Sequence, residues 1–294
     1  MTVTVTASDR QHHPVSGLKA EDFVLFEDNQ SQQITSVSHA EGPACIGLLV
    51  DSSGSMRHKR PEAIHALMEL VRAGNSGDRV FVVNFNDDAF IDQDFTSELN
   101  LIQDGLERAE SRGGTALYDA VIASADHFSN SPQCAKRVLV VLTDGEDNSS
   151  KKSLQPAIDA LREVSSPIVY AIGMPNDPTP SHRPRDRRAL EQLTGSTGGA
   201  LFYTGNLREL DKVALKVADE IQNLYLVTYA RSNLQLDGKY RRIRIELQSP
   251  GHKEVILHSR EGYYAREMRK LKAAGVHTSD FPQSTLPAQT QQSH

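Results

Sequence analysis

The chain has no tryptophan and only two cysteines, Cys45 and Cys134, among its 294 residues. Two thiols cannot build a disulfide-dense scaffold or a cysteine-rich zinc cluster. The eleven histidines are scattered, with no HExxH pair, so zinc catalysis has little sequence support. No run of about 18 apolar residues occurs, and no transmembrane segment is expected. Positive charge is not in excess either: 32 basic against 38 acidic residues give a net charge of -6, which removes the electrostatic case for nucleic acid or an anionic membrane as the main partner. The first residues, MTVTVTASDR, lack the basic stretch followed by an apolar one that marks a signal peptide. They begin abruptly in strand-like sequence, which leaves open a start truncated from a longer precursor.

What is present is an ordinary soluble composition, 38% hydrophobic and 24% charged, enough for a sizeable core. Between residues 43 and 222, the apolar runs CIGLLVD, RVFVVNF, RVLVVLTD, PIVYAIG and ALFYTG are separated by stretches with helical spacing. In the first of these stretches Ile64, Leu67, Met68 and Val71 recur at helical intervals; the others lie near 98–110, 115–129, 153–164, 186–194 and 206–223. A short further strand is placed at AFIDQDF, residues 89–95. This pattern predicts an α/β fold: a doubly wound, mainly parallel six-stranded sheet with helices on both faces, of Rossmann-like type.

Outside that block the period falls to two. Val3 and Val5 alternate with threonines, and Ile243, Ile245 and Leu247 face opposite to Arg242, Arg244 and Glu246. PVSG and EDNQ read as turns between N-terminal strands, and Asp237-Gly238 as a hairpin turn. Each flank is roughly 40 residues, too short for a stable core of its own. Residues 1–40 and 224–266 are therefore expected to pair as one small antiparallel β-sandwich, with the α/β block of residues 43–222 inserted between its halves. From residue 267 on, Pro, Gln, Ser and Thr dominate, and a disordered tail is expected.

Ligands in a doubly wound sheet bind beyond the carboxyl ends of the strands, where strand order reverses. Two such ends carry acids and hydroxyls here. Asp51 closes CIGLLVD and is followed by Ser53 and Ser55; Asp144 closes RVLVVLTD; and Thr115 follows two glycines in RGGTALYD. Together these five form an all-oxygen set of two carboxylates and three neutral hydroxyls. Mg²⁺ or Mn²⁺ suits that set better than Zn²⁺, which prefers nitrogen and sulfur. The two carboxylates match the ion's charge, and five side chains leave one octahedral position for water or an outside acid.

DxSxS, then GGT, then TDG resembles the metal-ion-dependent adhesion site of the von Willebrand factor A domain, over roughly residues 43–222. The resemblance implies that Ser53, Ser55 and Thr115 contact the ion directly or switch to doing so, while Asp51 and Asp144 act partly through water. It also implies a cation-dependent, non-enzymatic adhesion or interaction module whose partner, a protein, completes the shell with an Asp or Glu carboxylate. Integrin-like members couple such ligation to a shift of the last helix, here near 206–223. The flanks PVSGLKAEDFVLFEDNQSQQI, YLVTYARSN and REGYYA are similar to the bacterial secreted-type family described from acidobacteria. Members usually carry an export signal. The resemblance thus implies an extracytoplasmic protein, whereas a true start at Met1 implies a cytoplasmic one.

Two other functions compete. A metal-dependent hydrolase would use the same ion to activate water, with Glu146 or Asp147 as base. Phosphoryl-transfer hydrolases, however, need a second carboxylate two residues after the first, where this chain has Ser53, and the GxSxG elbow of serine hydrolases is absent. In an assembly scaffold, the metal would only stabilise loops. Glu146 and Asp147 otherwise read as caps of the following helix or solvated groups, and His58, Lys59 and Arg60 as a solvated helix start or as aids to an incoming carboxylate. Arg183, Arg185, Arg187 and Arg188, after PIVYAIG, read as a solvated rim or a partner contact, and His12 and His13 as exposed. Cys45 precedes Asp51 by six residues and Cys134 precedes Asp144 by ten. With strand ends aligned they fall about 13 Å out of register, so two free thiols are expected unless the chain before residue 136 folds back.

Overall fold

Period-two sequence at both ends of the chain and buried apolar runs in its middle give two separate sheets. The computed structural model describes residues 1–266 apart from 11–12, 41, 130–133, 135, 164–166, 175–182 and 249–253. The expected tail and His12 lie outside the described residues.

Strands β1 (Thr2–Ser8), β2 (Phe23–Glu27) and β3 (Gln30–His39) come from one end; β10 (Tyr225–Ala230), β11 (Tyr240–Leu247), β12 (Ile256–Ser259) and β13 (Gly262–Tyr264) come from the other. They form one antiparallel sheet in the order β12-β1-β10-β3-β2-β11-β13. Its ladder is continuous rather than split into two sheets, because the long β3 pairs with β2 through Gln30–Gln32 and with β10 through Gln33–His39. Alternation decides which side chains are inside: Ile243 and Ile245 join Val3, Val5, Leu25, Val227 and Tyr229 in a single apolar cluster. At EDNQ, Asp28 and Asn29 both take positive φ (49° and 65°), as a tight hairpin turn between β2 and β3 requires. Gly238 also turns at positive φ (73°), but it leads into β11 without making a hairpin, since β10 and β11 are not ladder neighbours.

The second sheet runs β6-β5-β4-β7-β8-β9, with β4 (Ala44–Asp51), β5 (Arg79–Phe85), β6 (Ala89–Thr96), β7 (Lys136–Thr143), β8 (Ile168–Gly173) and β9 (Leu201–Tyr203). It is mixed: β6 is antiparallel to β5, and the other neighbours are parallel. Helices α1 (Arg60–Ala73), α2 (Leu99–Glu107) and α6 (Leu210–Gln222) cover one face; α3 (Leu117–Ser129), α4 (Leu154–Ala160) and α5 (Arg183–Thr197) cover the other. Strand β4 feeds both cores. Ile46, Leu48 and Val50 point to the α1/α6 side, and Cys45 and Leu49 to the α3/α4 side, which is why its sequence reads as an unbroken apolar run.

The chain moves outward from β4 to β5 and β6, then returns to β7 on the other flank of β4. This reversal places the carboxyl ends of β4 and β7 side by side. The block departs from and rejoins the antiparallel sheet at one place: His39 pairs with Tyr225, and Ala40 N–H donates to the Leu224 carbonyl at 2.7 Å.

The expectation of two free thiols is overturned. Cys45 and Cys134 form a disulfide, with Cα atoms 5.8 Å apart, and no described cysteine is free. The register does place Cys45 beside Arg137, but β7 begins only at Lys136. Cys134 is therefore outside the ladder, and nothing obliges it to extend the strand's line.

Candidate functional site

The loops after β4 and β5 and the segment leading from α2 to α3 meet at the carboxyl end of the sheet beside β7, and backbone hydrogen bonds stitch them together. Ser52 N–H donates to Phe85 O (2.7 Å), Gly54 N–H to Gly113 O (3.1 Å), Arg112 N–H to Ser52 O (2.9 Å) and Ala116 N–H to Asn86 O (2.6 Å). The glycines before Thr115 are required by that closeness. Gly113 has φ +69° and a Cβ there would strike the Asp87 carboxylate, while one on Gly114 would strike Ser149 and Asn148.

Four of the five expected site residues are joined by side-chain hydrogen bonds. Asp51, fully buried, accepts from Ser53 N–H (2.8 Å) on Oδ1 and from the Thr143 hydroxyl (2.6 Å) on Oδ2. Ser53 and Ser55 hydroxyls lie 3.1 Å apart, and Ser55 Oγ donates to Asp144 Oδ1 at 2.8 Å. Thr115 is held beside them by its backbone: its N–H donates to Asn148 Oδ1 (2.9 Å), and its carbonyl accepts from the N–H groups of Asn148 and Ser149 (3.0 and 3.2 Å). Ser55 is exposed while Asp51, Ser53, Thr115 and Asp144 are buried, so the set opens to solvent on one side only.

Burial pushes the Asp51 carboxyl up to about 6; the Thr143 and Ser53 hydrogen bonds hold it down, and the nearby Asp144 charge adds to the rise. A cation bound beside Asp51 would offset that rise. Among the described residues no three His, Cys, Asp or Glu side chains converge as a metal cluster. A cation here would rest on hydroxyls and these two carboxylates.

The family model for the von Willebrand factor type A domain matches residues 46–216. The chain belongs to this family. The VWA fold recurs in solved structures. A von Willebrand factor type A protein from Catenulispora acidiphila is 14% identical, with TM-score 0.54, covering 85% of this chain and 75% of that one. The PilB minor pilin from Streptococcus sanguinis is also 14% identical, with TM-score 0.50 over 62% of each chain, so the match spans less than two thirds of the pilin. Proximal thread matrix protein 1 from the mussel byssus is 19% identical, with TM-score 0.50 over 65% of this chain and 48% of that one. No curated protein matches. VWA domains are commonly adhesion or protein-interaction modules and typically not enzymes.

Around the VWA site the structure adds residues that the sequence reading missed. Thr143, adjacent to Asp144, is the hydroxyl that fixes Asp51. Arg60 is buried rather than solvated: its guanidinium donates to Ser52 Oγ, to Asn84 Oδ1 (2.8 Å) and to the Leu106 carbonyl, and Asn84 in turn donates to Asp92 (2.7 Å). A sequence signal existed, since Arg60 heads the same helical stripe as Ile64, Leu67 and Val71. Lys59 contacts Asp144 Oδ2. Asp147 accepts from Tyr118 N–H (2.9 Å) and the Ser150 hydroxyl (2.5 Å), which caps α3 and not the following helix. Arg187 and Arg188 are exposed, with Arg187 paired to Glu191 (2.7 Å); the side chains of Arg183 and Arg185 lie outside the described residues. His13 is exposed and bonds Asp9. No described helix is long and apolar enough to cross a membrane.

Proposed function

We propose that this VWA domain is a divalent-cation-dependent protein-binding module, with Mg²⁺ or Mn²⁺ held by Asp51, Ser53, Ser55, Thr115 and Asp144 as a metal-ion-dependent adhesion site. The observation that carries this reading is the unbroken chain Asp51–Ser53–Ser55–Asp144, which gathers hard oxygen donors around two buried carboxylates. The donors fit the ion: the two carboxylates match its charge, the five side chains leave one coordination position at the exposed Ser55 side, and an Asp or Glu carboxylate from a partner protein supplies the missing ligand there. The ion would supply electrostatic attraction for that carboxylate, while the chain's own residues position it.

A hydrolase would need a free base at the rim. Of the two candidate bases, Glu146 and Asp147, Asp147 is committed to the start of α3, which disfavours it in that role. The Cys45–Cys134 bridge favours an oxidising, extracytoplasmic compartment, in line with the secreted acidobacterial-type family that the flanks resemble. Residues 1–40 and 224–266 act in this reading as one domain into which the VWA block of residues 43–222 is inserted, supported by the shared exit and entry at His39 and Tyr225.

Calorimetric titration with Mn²⁺ and Mg²⁺ tests the site, with Ser53→Ala and Asp144→Asn as variants. Saturable binding by the native protein that either change weakens more than tenfold is expected. Equal binding in all three proteins overturns the site. Partner capture from host extract in Mg²⁺, repeated in chelator, tests the interaction.

A further inference from the structure

The site has a charged neighbour that its hydroxyl and carboxylate donors do not need. Lys59 precedes α1, and its ammonium group meets Asp144 Oδ2 while Ser55 holds Oδ1 of the same carboxylate. The Asp144 side chain is 0% exposed and that of Lys59 is 17% exposed, so the pair sits inside the mouth and not on the open surface. The backbone of Lys59 is pinned at both polar atoms: its N–H donates to Met56 O at 2.9 Å, and its carbonyl accepts from Ala63 N–H at 3.0 Å. The side chain is thus delivered to one place.

Helix architecture does not account for a lysine there. Lys59 is the N-cap of α1 and makes no side-chain capping bond. A cation at a helix N-terminus opposes the helix dipole, and Ser, Thr, Asp or Asn are the residues that ordinarily cap such an end. Its neighbours are engaged elsewhere. Arg57 reaches the Ser111 carbonyl (3.4 Å), and Arg60 turns inward to Ser52 and Asn84. Among the described contacts, Lys59 is the member of this basic run whose side chain directly meets a carboxylate of the site.

We infer that Lys59 is a tethered cation of this site that competes with the divalent ion for Asp144 and thereby sets the ion's affinity. The inference rests on the metal reading above. Direct coordination of a divalent ion by Asp144 requires the ammonium to withdraw from Oδ2, and a positive charge that stays nearby still repels the ion. The native site therefore loads only at raised cation concentration, and partner binding follows that threshold.

The test measures Mn²⁺ affinity by calorimetry for the native chain, Lys59→Gln and Lys59→Arg, with melting in chelator to verify folding. Lys59→Gln is expected to bind Mn²⁺ about tenfold more tightly, a ratio that corresponds to about 1.4 kcal/mol. Lys59→Arg keeps the charge and should stay close to the native affinity, which a purely structural role for the lysine would not predict. Equal Mn²⁺ affinity in the native and Gln forms, or weaker binding in the Gln form, overturns the competition while the metal reading stands. No saturable binding by any of the three proteins overturns both.

Discussion

Two buried carboxylate clusters sit in the two sheets, and they differ in how completely the protein satisfies them. In the antiparallel sheet Glu27 is 3% exposed and accepts from the hydroxyls of Tyr229 (2.5 Å) and Tyr263 (3.1 Å), with Arg231 donating to Tyr263 at 3.4 Å. That network is closed on itself. At the ends of β4 and β7, Asp51 and Asp144 are equally buried, but their hydroxyl partners Ser53 and Ser55 lead out to solvent. Buried acidity alone thus does not mark a function; what sets the second cluster apart is the hydroxyl path from its carboxylates to the exposed Ser55.

Removing the Cys45–Cys134 bridge isolates the α/β sheet. It closes a separation of 89 residues, and Cys45→Ser with Cys134→Ser should lower stability by about 4.6 kcal/mol in urea denaturation, by the loop-entropy relation. The bridge lies at the end of β4 away from Asp51, so Mn²⁺ affinity should change little in the same variant.

Breaking the closed cluster comes next in size. Glu27→Ala leaves the Tyr229 and Tyr263 hydroxyls without their acceptor and should cost about 3 kcal/mol, again read by denaturation. Metal binding is expected to survive; its loss would mean that the two clusters are coupled.

A further buried carboxyl sharpens the contrast. Glu220 on α6 is 6% exposed, and burial pushes it up to about 7, with Lys216 pulling the other way. A raised carboxyl binds its proton more tightly in the folded state. Its stabilising contribution is complete below about pH 4.5 and is lost as pH rises to about 7. Glu220→Gln should flatten that slope and leave the variant more stable than the native chain at pH 8, by roughly 2 kcal/mol. Stability measured against pH checks both the sign and the window.

Particular residues show what each level of structure controls. The alternation of Ile243 and Ile245 with Arg242 and Arg244, and the unbroken run ending in Asp51, are local patterns; a strand's period and burial are written in consecutive residues, so the strands were legible, although the flanks were expected to form a sandwich and not one sheet. The acids and hydroxyls proposed as ligands, Asp51, Ser53, Ser55, Thr115 and Asp144, could be picked out as residues at strand ends and after a double glycine. Lys59 and Arg60 were not legible in this way. They are adjacent and alike in charge, yet one reaches Asp144 and the other is buried under Ser52. Nor was the disulfide, which depends on where Cys134 lies once it is off the ladder. The sequence by itself determined the elements, the core faces and the donor set, since these follow from spacing along one chain segment. Only the tertiary structure decided which basic residue meets the site, which cysteines meet each other and that the flanking strands form one continuous sheet. Those contacts join segments far apart in sequence, and their geometry exists only once the strands have paired.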